Sequence, residues 1–290
     1  MAIDSGPRTA TAARASRAWR ASAASVARAV RDYPRRNPLT FAYLLVILAG
    51  LLVMTKVLSG PAADHFKIAI STDPHNMAHA PLTVLLASPV FAATDSGVFS
   101  HLLIIGGGVG VCMAALERRI GALRTVALFL LANSIATAVA TSVAAAAIHS
   151  GRYPAKWWDG YDYGISYGVL AIAASVTPLV TPLVARAVAS LSSLRPLRSW
   201  SSLRSWSWSS LSWSSLSWSS LSWSLPSRIV RLLWIAGVFA YPFVSAQWFG
   251  LLPNFATIGH ETAAAFGLAA GYYLLRGDAT DRAVEPDPER

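Results

Sequence analysis

Six apolar stretches, near residues 39–58, 98–116, 123–147, 164–185, 229–250 and 257–275, constrain this chain more than any other feature. A hydrocarbon core about 30 Å thick takes roughly 20 helical residues to cross, and only a helix or a closed barrel satisfies every backbone polar group there. Composition agrees: 54 % of the residues are hydrophobic and 13 % charged, too few for the polar surface of a soluble domain. The sequence therefore predicts an all-α membrane protein, one bundle of six transmembrane helices over residues 39–275. A basic leader, 1–38, precedes it and a polar tail, 276–290, follows. The leader is too long for a cleaved signal peptide and the first apolar run too long for the core of one, so that run reads as a retained anchor.

The formal charge of +10 would suggest nucleic acid as the partner of a soluble protein, but its distribution points to topology. With the N-terminus inside, Arg8 to Arg36, Arg118, Arg119, Arg124, Arg186 to Arg231, Arg276, Arg282 and Arg290 all fall on the cytoplasmic side. The exterior keeps Lys67, Arg152 and Lys156. Such asymmetry orients a bundle with both termini cytoplasmic. The lipid bilayer is the expected partner, with no nucleic acid. The leader, with Trp19, Val26 and Val30, has at most a weak apolar face for lying on anionic lipid.

A Ser/Trp/Leu-rich insertion over 190–227 contains the pentad repeat "SSLSWSSLSWSSLSW". Its period of five suits neither a helical face nor a strand, and it reads as a low-complexity cytoplasmic loop. In the long first exterior connection, "PLTVLLASPVFA" (Pro81 to Ala92) is too short to cross and is interrupted by Pro89, which fits an interfacial or re-entrant element. His75 and His79, four apart, could share a metal on one helical face, but no third ligand is evident and both read as solvated loop histidines. Cys112 is the only cysteine, a buried apolar filler that allows no disulfide within the chain. No metal or organic cofactor is expected. "GGGVG" (Gly106 to Gly110) follows no strand, so its glycines read as sites of close helix approach rather than a nucleotide loop.

Spans two, four and six all begin on the exterior face, and each carries one chemically capable residue in its first turns: His101, Ser166 and His260. Ionisable groups at that depth are costly and mark functional sites. A neutral histidine level with a serine can take its proton, the two-part form of an activated nucleophile. "GISYG" (Gly164 to Gly168) also matches the nucleophile elbow of soluble hydrolases, but that elbow needs a preceding strand which the sequence does not offer.

These residues resemble those of the rhomboid intramembrane serine proteases. "GIS" (Gly164 to Ser166) is similar to the Gly-x-Ser that opens that family's fourth helix, and "GHETAAAFG" (Gly259 to Gly267) to its sixth-helix pattern. "ERRIG" (Glu117 to Gly121) resembles the Glu-x-Arg-x-Gly at the cytoplasmic end of its second helix, and His101 its second-helix histidine. The resemblance implies Ser166 as nucleophile, His260 as base, and His101 and Gly164 in oxyanion and substrate positioning. It also implies structural roles for Glu117 and Arg119, with Gly267, Ala263 and Gly271 packing against the fourth helix. Its substrate would be a transmembrane protein cut near the exterior face. The chain departs from the family at Ile105, where an Asn is usual, at Tyr167, where a Gly is usual, at Leu170, where an aromatic often supports the base, and in lacking the first-loop Trp-Arg pair. Those departures keep a second reading open, a rhomboid-like pseudoprotease that binds or escorts membrane proteins. A transporter would show an inverted repeat and polar residues spread through the membrane, which this sequence does not.

Overall fold

A computed structural model of the chain describes Arg20 and residues 23–58, 60–92, 97–160, 162, 164–185 and 227–284, giving the backbone alone for Ser245 and 277–284. Most of the insertion, including the Ser/Trp repeat, lies outside the described residues, as do residues 1–19. The chain divides into two compact units. Met1–Tyr33 with Leu179–Arg231 form one, which includes a helical stretch over 23–33 with exposed Val26 and Val30. Pro34–Pro178 with Leu232–Arg290 form the other, which holds the elements below apart from residues 179–185 and the first five residues of the helix that begins at Ser227.

In that unit α1 spans Pro38–Val57. Three short helices follow: α2 (Gly60–Ile70), α3 (Pro74–His79) and α4 (Pro81–Ala87), the last tightening to a 3₁₀ turn at Ser88–Val90, where Pro89 interrupts it. Then come α5 (Val98–Ile120), α6 (Ala122–His149), α7 (Ser166–Ser175), α8 (Ser227–Ala240) and α9 (Phe255–Val284). A two-stranded antiparallel hairpin, β1 (Trp248–Phe249) with β2 (Leu252–Pro253), turns through Gly250, whose φ of 65° suits glycine.

Among the described residues four helices are long and apolar enough to cross a membrane: Pro38–Val57, Val98–Ile120, Ala122–His149 and Ser227–Val244. A fifth appears if Ser166–Ser175 and Thr177–Ala185 count as one broken span. The expected continuous span 164–185 thus breaks after Ser175. Pro178 can donate no helical hydrogen bond, and the hydroxyls of Ser175 and Thr177 turn back to the carbonyls of Ile172 and Ala174, at 2.8 and 2.6 Å. The stretch expected at 257–275 is a helix, α9, longer than foreseen, but it is not one of the four long apolar helices.

Two further expectations are corrected. The fifth apolar run does not extend to residue 250: the helix gives way at Tyr241–Ser245 to the hairpin, so the link to α9 is longer than the six residues expected. His75 and His79 lie on helix α3 rather than in a loop, with rings stacked 4.4 Å apart and His75 Nδ1 3.4 Å from Asp159 Oδ1. Among the described residues no group of three or more His, Cys, Asp or Glu is placed to hold a metal ion.

Helix α7 is the axis of the bundle: every residue from Tyr167 to Ser175 is buried, with α5, α6 and α9 packed around it. Small residues permit this. Ala132, Ala136, Ala140 and Ala144 recur every four residues on α6 and are fully buried. Ala132 and Ala136 meet Tyr167, Ala171 and Ala263, and Ala140 and Ala144 meet Tyr153 and Phe255. On α9 a Cβ at Gly267 would lie 2.1 Å from the Ala171 carbonyl oxygen, and one at Gly271 2.2 Å from that of Ser175. Backbone is therefore touching backbone, the close approach by which membrane helices gain dispersion energy without a hydrophobic driving force. Of the glycine run on α5, Gly108 alone serves this purpose: a Cβ there would strike Val169, while those at Gly106 and Gly107 would meet nothing. Large apolar side chains such as Leu45, Leu48, Leu102, Leu131 and Leu233 point outward, as faces in contact with lipid would.

Candidate active site

The "ERRIG" stretch at the end of α5 does structural work. Glu117 is buried, and its carboxylate accepts from the backbone N–H groups of Leu39 and Thr40, both at 2.9 Å, and from the Thr40 hydroxyl at 2.7 Å. These are orphan donors of the first turn of α1, where Asn37 supplies no side-chain cap. A carboxylate from another helix fills that place. Arg118 donates to the Asn37 side chain at 2.6 Å, and Arg119 follows half-buried. Gly121, at φ 86°, ends the helix as only glycine readily can.

The other end of α5, on the order of 20 Å away along the helix, opens a cavity of about 260 Å³. His101, Ser166 and His260 all line it, so the structure gathers all three residues singled out by depth in the sequence, and Gly164 and Ile105 join them. His101 holds the Gly97 carbonyl through Nδ1 at 3.1 Å. From there α5 widens into i→i+5 hydrogen bonding over Leu102–Met113, a departure from α geometry that is frequent near functional sites. Ser166 is the first residue of α7. Gly164, at φ 122°, makes the entry into that helix, and its N–H donates to the buried Ser88 hydroxyl at 3.3 Å. The short element α4 therefore holds the segment before Ser166 in place, while Tyr43 of α1 donates its hydroxyl to the Pro89 carbonyl. On the far side, the hydroxyls of Ser100 and Tyr241 meet at 3.3 Å between α5 and the turn that follows α8.

His260 sits in the second turn of α9. Its ring is hydrogen-bonded to the backbone at Ala256, one turn earlier, and its Nε2 is buried without a partner among the described residues. No hydrogen bond joins it to Ser166. Apo geometries often leave such bonds open until substrate binds.

Two residues of the site were not foreseen. Tyr167, noted in the sequence only as a departure, packs edge-to-face on the His260 imidazole with centroids 4.8 Å apart. It fits because Gly259 has no side chain: a Cβ there would lie 2.3 Å from the tyrosine ring. Asp162, on the same cavity, accepts the Tyr167 hydroxyl at 2.5 Å and that of Thr72 at 3.2 Å. Desolvation raises its carboxyl to about 6 against the two hydrogen bonds that favour the ionised form.

Set in a helical bundle with several membrane-length spans, such a cavity defines an integral membrane protein with a polar site at one end of its helices. A family model described as rhomboid-like protein matches residues 32–190, more than half of the chain, and the protein belongs to that family. The match includes His101, Glu117, Gly164 and Ser166 and ends before His260. No curated protein and no solved structure matches the chain.

Proposed function

We propose that this protein is an intramembrane serine endopeptidase that cleaves transmembrane proteins near the exterior face. The observation that carries the reading is the convergence of Ser166, His101 and His260, from three different helices, on one cavity. Ser166 Oγ attacks the scissile carbonyl while His260 Nε2 takes its proton, then returns it to the departing amine; water completes the cycle on the acyl-enzyme. The Ala256 hydrogen bond suits that role, because it occupies one ring nitrogen and leaves Nε2 to accept. The oxyanion is met by the Ser166 backbone N–H, at the positive end of α7, and by His101, donors worth about 3 kcal/mol each in comparable sites. No metal or organic cofactor takes part. In this reading six helices cross the membrane, α7 with its continuation and α9 included, and both termini with most of the basic residues are cytoplasmic.

A rhomboid-like pseudoprotease, which binds or escorts membrane proteins through the same cavity, is the second reading. Ile105, which lines the cavity but can donate nothing to an oxyanion, and the absence of a Ser166–His260 hydrogen bond favour it. Reconstitution with single-span model substrates in proteoliposomes separates the two. The protease reading expects cleavage that is lost in both Ser166→Ala and His260→Ala. Cleavage surviving in Ser166→Ala, or capture of the substrates without cleavage by folded wild type, would overturn it.

A further inference from the structure

A serine–histidine dyad has no carboxylate to orient its base, and here the tyrosine after the nucleophile connects the base to one. We propose that Asp162 is a positioning residue for His260, acting through the Tyr167 hydroxyl to fix the ring on which the imidazole packs. The proposal rests on the protease reading of the same cavity.

The geometry runs through three contacts. Tyr167 donates to Asp162 Oδ2 at 2.5 Å, which fixes the far end of its ring. The ring meets the imidazole at 81° between planes, an arrangement that resists tilting of either partner. Gly259 admits the ring against the α9 backbone one residue before His260, so the phenol has little freedom once its hydroxyl is held. Bonded to Asp162, the buried ring holds its place against the imidazole.

Asp162 is itself fixed. Its backbone N–H donates to the Ser71 hydroxyl at 2.9 Å, and its carbonyl accepts from the Thr72 N–H and hydroxyl at 2.5 and 2.8 Å. Ser71 and Thr72 form the corner between α2 and α3, which Asn76 and Asp73 brace. The loop between α1 and α5 thereby sets the position of a carboxylate that acts on the base.

Among the described residues, the ionisable groups around this carboxyl are Tyr167 on α7, with His260 on α9, His101 on α5 and Tyr241, just past α8, across the cavity. On the neighbouring corner Asp73 caps α3 and faces His75 and Asp159. Ionised Asp162 is the stronger acceptor for the phenol, so the latch tightens as pH rises through its titration. In Tyr167→Phe the carboxylate loses a bond that favours its charge and titrates higher; in Asp162→Asn that titration disappears.

The test is the second-order rate of serine-directed fluorophosphonate labelling against pH, for full-length wild type, Tyr167→Phe, Asp162→Asn and the double variant. Thermal unfolding run alongside restricts the comparison to folded protein, and Tyr167→Phe keeps the packing if Asp162→Asn does not fold. The expected result is a loss of ten- to a hundredfold in each single variant, the scale set by misplacing a reacting group, with little further loss in the double. The acid limb of the profile should shift upward in Tyr167→Phe and lose its Asp162 component in Asp162→Asn. A structural role alone would lower thermal stability and leave the shape of the profile unchanged. Folded variants that label at the wild-type rate with an unaltered profile would overturn the proposal while leaving the dyad standing. Unlabelled wild type would remove the protease reading and this proposal together.

Discussion

Removing the Glu117 carboxylate should destabilise the bundle from the end opposite the cavity. In Glu117→Ala three hydrogen bonds vanish and two N–H groups of the first turn of α1 lose their acceptor. Thr40 is fully buried, so its N–H bears an unsatisfied-donor cost of about 1–3 kcal/mol. The half-buried Leu39 N–H can recover water and loses less, nearer the roughly 1 kcal/mol of a missing cap. The Thr40 hydroxyl adds a net bond of about 1 kcal/mol. The total is about 3–5 kcal/mol, which for a membrane unit of this size corresponds to a melting-temperature drop of about 6–20 °C. Glu117→Gln, which keeps one acceptor oxygen but not the charge, should fall between. Thermal unfolding in detergent micelles, followed by tryptophan fluorescence, reads this out. Labelling of Ser166 per folded molecule should persist, since Glu117 does not line the cavity. A melting temperature within about 1 °C of wild type would refute the capping argument.

Gly267→Ala drives a methyl into the Ala171 backbone, which cannot move aside as a side chain can, and should cost at least the 1–3 kcal/mol typical of overpacking. Gly107→Ala, in open space, should stay within about 0.5 kcal/mol of wild type; equal melting temperatures for the two variants would contradict the assigned contact. The raised Asp162 carboxyl makes a pH prediction of definite sign. Its contribution to stability is complete below the ordinary carboxyl value of 3.8 and is lost as pH rises through about 6, so the wild type should lose stability over that window relative to Asp162→Asn, as thermal scans at pH 4 to 7 would show. Deleting Ser205 to Ser224 should leave membrane insertion and Ser166 labelling nearly unchanged; a large loss in either, by fractionation or labelling, would give the repeat a function.

The spans were legible because crossing length is a property of local composition: the ends of α1, α5 and α6 fall within a few residues of the expected ones. The polar turn His260–Thr262, which drew attention to the last apolar stretch in the sequence, also lowers its hydropathy, and α9 is not among the helices apolar enough to cross a membrane. The hairpin was hidden because "WFGLLP" continues the apolar run of α8; Gly250 and Pro253 were the available turn signals. Depth in the membrane, counted from span ends, was enough to bring His101, Ser166 and His260 to one cavity. Tyr167 and Asp162 could not be assigned that way. Tyr167 reaches His260 because a glycine some ninety positions later leaves room for its ring, and Asp162 is oriented by Ser71 and Thr72 on a loop equally remote in sequence. The glycine run shows the same limit in reverse: its spacing suggested helix contact throughout, and only the partner helix decides that Gly108 makes it.

The central claim, an activated Ser166 beside His260, is tested most directly by labelling purified protein in detergent with a fluorophosphonate probe. Ser166→Ala and His260→Ala are run in parallel, with the adduct located by mass spectrometry. The account predicts one adduct, on Ser166, absent from both variants. Folded wild type that stays unlabelled while an active rhomboid protease reacts under the same conditions would contradict it.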